Sequence, residues 1–210
     1  MRIQTWLLIA ILVPLLGNSL LLCLSATAAS QETPGPAARA ETRCHIPGMQ
    51  CTEAPWSAER QHLRVRLGMI GLPALPEEGT AFHIHEHLDI FIRGKSVFVP
   101  EGIGIDAYER FIAPLHTHDD SGIIHVESPI REPFTLGQFF DVWGVRLTDT
   151  CVGSYCAHDS LALRAFINGR VAMGDPRDIV LAPHQEIVIA YGRSDELPHP
   201  IPSHYAFPPD

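Results

Sequence analysis

The sequence predicts an α+β fold, in which a strand-dominated mixed sheet packs against one main helix and the second half is β-grasp-like. Residues 82–92 (FHIHEHLDIFI) alternate between polar and apolar side chains, which is typical of a half-buried strand. An Asn-Gly pair at residues 168–169 separates two apolar runs, as in a tight hairpin. Residues 135–143 (TLGQFFDVW) place their large apolar side chains on one helical face.

The first half of the predicted domain contains a hairpin and a further strand. Residues 82–92 turn back at residues 93–95, which include a glycine, into a short strand over residues 96–99. Residues 123–127 (IIHVE) form the next strand, which ends at the Ser-Pro pair of residues 128–129.

The second half follows the order strand, helix, hairpin, strand, which resembles a small β-grasp-like unit. Thr135 is the expected N-cap of the helix. The hairpin joins residues 163–167 to residues 170–173, and residues 186–191 (EIVIAY) form the last strand. Residues 57–67 fit either a helix or an alternating strand.

Composition limits the classes of partner. The chain has 210 residues and a formal net charge of -9, from 15 basic and 24 acidic residues. Because nucleic acid backbones attract a basic surface, we expect no nucleic-acid partner. The hydrophobic fraction of 46% is enough for a buried core. Histidine is in excess, with 12 in the chain.

The N-terminal segment predicts export. Residues 1–28 have the features of a signal peptide: Arg2, an apolar run at residues 6–13 and small residues at positions 26 and 28. Cleavage would leave a periplasmic or extracellular protein with no transmembrane segment. The alternative is an uncleaved membrane anchor over residues 5–29.

Three further segments follow this leader. Residues 29–43 are rich in small residues and predict a flexible linker. Residues 44–196 form a single domain. Residues 197–210 are a Pro-rich tail that cannot form a helix or a central strand. Three side chains should anchor this tail to the domain: Ile201, Tyr205 and Phe207.

The cysteines predict disulfides. Cleavage of the leader would leave an even set of four, and an exported chain with an even set usually oxidises it. Turn residues lie between the members of each near pair, so we favour the pairs Cys44–Cys51 and Cys151–Cys156. A zinc site made of all four cysteines is the alternative, although the spacings are poor for it.

One strand concentrates potential metal ligands. His83, His85, His87 and Asp89 occupy alternate positions, so their side chains leave from the same face, whereas the other face is apolar except for Glu86. Imidazole is a common ligand of zinc and copper. Positions 83 and 87 are about 13 Å apart along a strand, so this strand cannot complete a metal site alone.

A second segment supplies the missing ligands. His116 and His118 form another His-x-His pair, and His125 follows on a predicted strand. If the two segments lie side by side, they form a cage of four nitrogens or of three nitrogens and a carboxylate. The expected histidine ligands are His83, His85, His87, His116, His118 and His125. Three carboxylates could accept the second ring N–H of a bound histidine: Asp89, Asp119 and Glu127.

Several strings in this region resemble a family of exported bacterial proteins. That family shares a His-x-His-x-His-Leu motif, a Leu-His-Thr-His-Asp motif and a Phe-Thr-Leu-Gly-Gln-Phe-Phe motif, which match residues 83–88, 115–119 and 134–140 of this chain. The resemblance covers about residues 80–192. It implies a shared fold and a shared histidine site, and it implies no particular substrate.

The hypothesis from sequence is an exported metal-binding protein that buffers, senses or delivers zinc or copper(II), with an envelope protein as a possible partner. The first alternative is a metalloenzyme in which Glu127 or Asp119 acts as the general base. A second alternative is an interaction domain with a structural metal. A third is a pH-sensing or structural histidine network without metal.

Overall fold

Residues 43–208 are the part of the chain that the computed structural model describes. The predicted signal peptide and residues 29–42 of the predicted linker lie outside this part. The described residues belong to one compact unit, Pro34–Asp210. No helix within residues 43–208 is long and apolar enough to cross a membrane.

Strands dominate the described residues. In chain order they are β1 (Phe82–Ile92), β2 (Lys95–Val97), β3 (Ile105–Asp106), β4 (Phe111–Ile112), β5 (Leu115–His116), β6 (Ile123–Ser128), β7 (Cys151–Val152), β8 (Tyr155–Cys156), β9 (Ala162–Ile167), β10 (Arg170–Ala172) and β11 (Glu186–Gly192). A seven-stranded sheet has the order β10-β9-β11-β1-β6-β5, with β2 also paired to β1. Because β11 runs parallel to β1 and β6 antiparallel to it, the sheet is mixed, as predicted.

Both predicted hairpins are present, and their turn residues explain them. Arg93 and Gly94 have φ values of 50° and 77°, and Asn168 and Gly169 have φ values of 51° and 76°. Two consecutive residues with positive φ form the two-residue turn whose twist matches that of the strands. The strand after the first turn is shorter than predicted and ends at Val97.

Residues 43–208 also contain two α-helices, α1 (Leu63–Ile70) and α2 (Leu136–Trp143), and two 3-10 helices at Pro176–Asp178 and Ser194–Glu196. The main helix α2 begins as predicted, because Thr135 and Gln138 form a capping box through their side chains and backbone N–H groups. The sequence of residues 57–67 fits either a helix or a strand, and in the structure helix α1 begins within this segment, at Leu63. The α+β class with one main helix is confirmed.

The core lies on the apolar face of the sheet, beneath α2. Phe139, Phe140 and Trp143 of α2 are fully buried and belong to the same apolar cluster as Leu88 and Ile90 of β1. Since β1 alternates, its histidines point away from this cluster. The apolar cluster that contains the buried face of α2 also includes residues of β1, so the core is not confined to the second half of the chain.

The Pro-rich tail covers part of the other face of the sheet. Ile201 packs against a small apolar cluster of Phe166, Val188 and Ala190. Further along, Tyr205 stacks on His87 with ring centroids 3.9 Å apart, and Phe207 stacks on His184. The tail therefore covers the part of the histidine face around His87.

Both favoured disulfides are present. Cys44 is bonded to Cys51, and Cys151 is bonded to Cys156. The second bond links directly opposite residues of the β7–β8 hairpin. Arg43, the last residue of the predicted linker, forms an ion pair with Asp141 of α2.

Candidate metal centre

Strand register places three histidines in a row. His85 of β1 lies opposite His125 of β6, and His125 in turn lies opposite His116 of β5. Directly paired residues point to the same face of a sheet, so the three imidazoles meet there. The ring centroids of His85 and His125 are 4.4 Å apart, and those of His116 and His125 are 5.4 Å apart.

The remaining members of the two His-x-His pairs join this row. The Nε2 atoms of His83 and His85 are 2.8 Å apart, and those of His116 and His118 are 3.1 Å apart. His118 also approaches His125, with ring centroids 4.5 Å apart. Five imidazoles from three neighbouring strands and one loop thus converge on one point of the sheet surface.

Glu127 brings a carboxylate into the middle of these rings. It lies opposite His83 in the β1–β6 register, and its side chain is almost fully buried. Its Oε1 atom is 3.3 Å from His83 Nε2, 3.4 Å from His125 Nδ1 and 3.9 Å from His116 Nε2. From the sequence, Glu127 is expected to accept the second ring N–H of a bound histidine, whereas these distances place it among the potential ligand atoms.

The potential ligand atoms fall into two overlapping groups. One group is His83, His85, His125 and Glu127, and the other is His116, His118, His125 and Glu127. Within each group the atoms lie within 4.8 Å of one another. Ligands bound at about 2.0–2.1 Å around a tetrahedral zinc ion are about 3.3 Å apart, which is close to the separations observed here. Each group could therefore hold a metal ion.

The protonation state of His116 suits a metal ligand. Its Nδ1–H donates a hydrogen bond of 3.0 Å to the carbonyl oxygen of Ala113, which leaves the Nε2 lone pair facing the cluster. Burial, reinforced by the charges of neighbouring histidines, lowers the pKa of His116 to about 3. The ring is therefore neutral at physiological pH, as metal binding requires.

His125 is neutral for the same reason. Burial and then the charge of His85 lower the pKa of His125 to about 4. Its Nδ1 atom is buried and makes no hydrogen bond within residues 43–208. A buried nitrogen without a hydrogen bond is costly, and coordination of a metal would remove that cost.

The cluster is open to solvent on one side. His116 is fully buried, whereas the side chains of His83 and His118 are 50% and 43% exposed. A metal ion could reach the buried donors from this side.

Glu78 is a further acidic residue at the cluster, and it is not among the residues that the sequence pattern predicts there. Its Oε1 atom is 3.4 Å from Nε2 of His118. The pKa of Glu127 is raised by its burial and next by the charge of Glu78. The sequence signal for this contact is the glycine that follows Glu78, because a glycine often marks a close approach of two backbone segments. In the structure, a Cβ at Gly79 would lie 2.2 Å from the carbonyl carbon of Ser128. Only glycine lets this loop approach β6 so closely.

His87 lies in a different environment from the other five histidines. Its Nδ1 is 2.9 Å from Glu186 Oε2, and its Nε2 is 2.9 Å from the carbonyl oxygen of Ser121. Burial lowers the pKa of His87, but the hydrogen bond and charge of Glu186 raise it overall. His87, Asp89 and Glu186 form a third group that could hold a metal, although both ring nitrogens of His87 are already engaged.

Asp119 lies beside the cluster at the surface. Hydrogen bonds from the side chain and next from the backbone N–H of Ser121 lower the pKa of the Asp119 carboxyl group. The charge of Asp119 also acts on His118 and His125. Asp119 thus adds negative potential near the second group of donors.

Comparison of the chain with protein-family models, curated proteins and solved structures gave no match. The function therefore has to be inferred from the chemistry of the site.

Proposed function

We propose that this protein is an exported, histidine-rich metal-binding protein that buffers, senses or delivers zinc or copper(II). The observation that carries the proposal is the convergence of five imidazoles and the Glu127 carboxylate on one surface. The buried Nδ1 atom of His125 makes no hydrogen bond within residues 43–208, and a bound cation would remove the cost of leaving it without a partner. The backbone hydrogen bond of His116 supports the proposal further, because it fixes the tautomer that a ligand needs.

The donor set narrows the choice of metal. Imidazole and carboxylate suit Zn(II) and Cu(II), whereas Cu(I) prefers thiolate and thioether sulfur. The cysteines among residues 43–208 are oxidised in two disulfides and offer no thiolate. The same disulfides support an oxidising, exported compartment, where an envelope protein would be the partner for delivery.

A metalloenzyme that uses the same site is the second candidate. The half-exposed side chains of His83 and His118 leave room for water or substrate at a bound ion. Glu127 would then have to act as the general base, and its raised pKa favours that role. Metal-dependent hydrolysis that is lost in Glu127→Gln with the metal retained would establish this candidate.

A competition titration tests the proposal. The purified full chain is titrated with Zn(II) and with Cu(II) against a chromophoric chelator of known affinity. We expect stoichiometric binding that a His116→Gln/His125→Gln double variant loses. The matched control is His158→Gln/His204→Gln, which removes two exposed histidines outside the cluster. Equal affinity in both double variants would refute the proposal, as would no binding by the wild type.

A further inference from the structure

The histidine cluster contains more donors than one metal ion needs. A tetrahedral zinc ion takes four ligands, and tetragonal copper(II) binds only its ligands in the plane strongly. The two overlapping groups together offer a larger set: His83, His85, His116, His118, His125 and Glu127. One tetrahedral ion would leave two of these side chains without a role.

The donors divide along the two His-x-His pairs. His83 and His85 belong to the first group, and His116 and His118 belong to the second. Within each pair the two Nε2 atoms are hydrogen-bonded at 2.8 Å and 3.1 Å, so a small separation of the rings brings them to the about 3.3 Å expected of two ligands on one ion. Each pair is therefore arranged to bind an ion of its own.

Glu127 lies between the pairs and belongs to both groups. Its Oε1 atom is 3.3 Å from His83 Nε2 and 3.9 Å from His116 Nε2. The same Oε1 atom thus faces both pairs, and a carboxylate can bridge two ions that are about 3.5–4 Å apart, through one oxygen or through both. We infer that the cluster holds two divalent ions bridged by Glu127, an inference that rests on the proposed function.

The surrounding charges suit this arrangement. Two divalent ions bring a large positive charge that neutral imidazoles do not offset. Glu127 contributes one negative charge between the ions, and Glu78 adds a second beside His118. Asp119 adds a third, since it interacts with the charges of His118 and His125. The negative charge is thus concentrated around the second pair, where the buried His116 makes desolvation of an ion most costly.

His125 lies midway between the two pairs. Its ring centroid is 4.4 Å from that of His85 and 4.5 Å from that of His118. The single imidazole can therefore complete the coordination of either ion. The first ion then has His83, His85 and Glu127 as protein ligands, and the second has His116, His118 and Glu127.

Counting the ions tests the inference separately from the proposed function. Titration of the full chain with Zn(II), read by calorimetry and by native mass spectrometry, should give two ions per chain. One ion per chain would overturn the two-ion inference and leave the proposed function intact. No bound ion would overturn both.

Two matched variants assign the ions to their pairs. His83→Gln and His118→Gln each remove a half-exposed donor that belongs to one group only. We expect each variant to weaken a different binding event by roughly tenfold or more, while the control His158→Gln weakens neither. If both variants weaken the same event, or if neither has an effect, the assignment of one ion to each pair is wrong.

Copper(II) gives a readout on the wild-type protein that does not depend on any variant folding. Two Cu(II) ions bridged by a carboxylate couple their spins, so loading with two equivalents should replace the electron paramagnetic resonance spectrum of isolated ions by the broadened spectrum of a coupled pair, with a half-field transition. The signal of two magnetically independent ions would overturn the bridging role of Glu127.

Discussion

His116 and His125 lie opposite each other on β5 and β6, with ring centroids 5.4 Å apart and ring planes 12° from parallel. Burial holds the pKa of both rings well below the ordinary histidine value of 6.5. Two adjacent neutral imidazoles in a buried site are poised for a cation and resist protonation. Because these two rings are held neutral, the stability of the metal-free protein should fall in acid.

Metal-free wild type should lose stability in acid relative to a His125→Gln variant. Unfolded His125 titrates near 6.5, and the pKa of the folded form is about 4. The unfolded state therefore binds more protons between these values. The stability that neutral His125 contributes is present above pH 6.5 and is lost as the pH falls through the folded pKa. The slope approaches about 1.4 kcal/mol per pH unit.

Urea denaturation of both proteins in chelator at pH 7.5, 6.0 and 5.0 measures this difference. The control is His204→Gln, which changes an exposed histidine of the tail. A free-energy difference between wild type and His125→Gln that does not change with pH would contradict the assigned neutrality of His125.

Glu86 should make the protein less stable in base. It is fully buried on the core side of β1, neither carboxyl oxygen makes a hydrogen bond within residues 43–208, and burial raises its pKa to about 9. The folded state thus holds a proton that the unfolded state releases above pH 4.5. The stability that protonated Glu86 permits is fully present below pH 4.5. The free energy of unfolding then falls by about 1.4 kcal/mol per pH unit as the pH rises toward 9.

A Glu86→Gln variant keeps the shape of the side chain and removes this proton. We expect it to match the wild type near pH 4.5 and to be more stable at pH 8, as measured by denaturant unfolding of both proteins in parallel. The control is Glu101→Gln, which changes an exposed glutamate. If wild type and Glu86→Gln differ by the same amount at both pH values, Glu86 is charged in the folded protein.

Replacement of His87 should affect folding more than metal binding. His87 is held between Glu186 and the Ser121 carbonyl and is covered by Tyr205. A His87→Gln variant removes the imidazole that pairs with the buried Glu186 and leaves Asp89 as its acidic neighbour, which should cost about 3–5 kcal/mol. Zinc stoichiometry measured on the folded variant should equal that of the wild type. A lost zinc ion would instead assign His87 as a ligand.

Replacement of a core residue should lower the free energy of unfolding, whereas replacement of an exposed cluster histidine should weaken zinc binding with little effect on stability. Phe139 is fully buried in α2, so Phe139→Ala should cost about 3–5 kcal/mol of unfolding free energy. His83→Gln changes a half-exposed side chain and should cost less than about 0.5 kcal/mol while it weakens zinc binding. Parallel denaturation and zinc titration check both values. A large stability loss in metal-free His83→Gln would favour a structural histidine network.

The sequence predicts the elements well where one local rule determines them. The alternation of residues 82–92 reproduces β1 from its first to its last residue, and Asn168-Gly169 gives the β9–β10 hairpin. Thr135 begins α2 as expected. The two His-x-His pairs could be placed on one surface because strand alternation determines which side chains share a face.

The sequence predicts the site less well where strand register and loop packing determine which side chains meet. His87 has the same parity as His83 and His85, but it lies next to β11 and the tail, where Glu186 engages it. Glu78 is distant in sequence from His118 and reaches it because a loop crosses β6 at Gly79. Neither relationship has a periodic signal, since each depends on elements that meet only in the folded chain.

The metal content of the native protein tests the central claim most directly. The protein is purified from its own compartment without chelator or affinity tag, and bound metals are quantified by inductively coupled plasma mass spectrometry. The proposed function predicts at least one equivalent of zinc or copper per chain, which should be released as the pH falls below about 6 because protonated imidazole cannot bind a metal. Protein that contains no stoichiometric transition metal, and that takes up none on incubation with Zn(II) or Cu(II) at neutral pH, would contradict it.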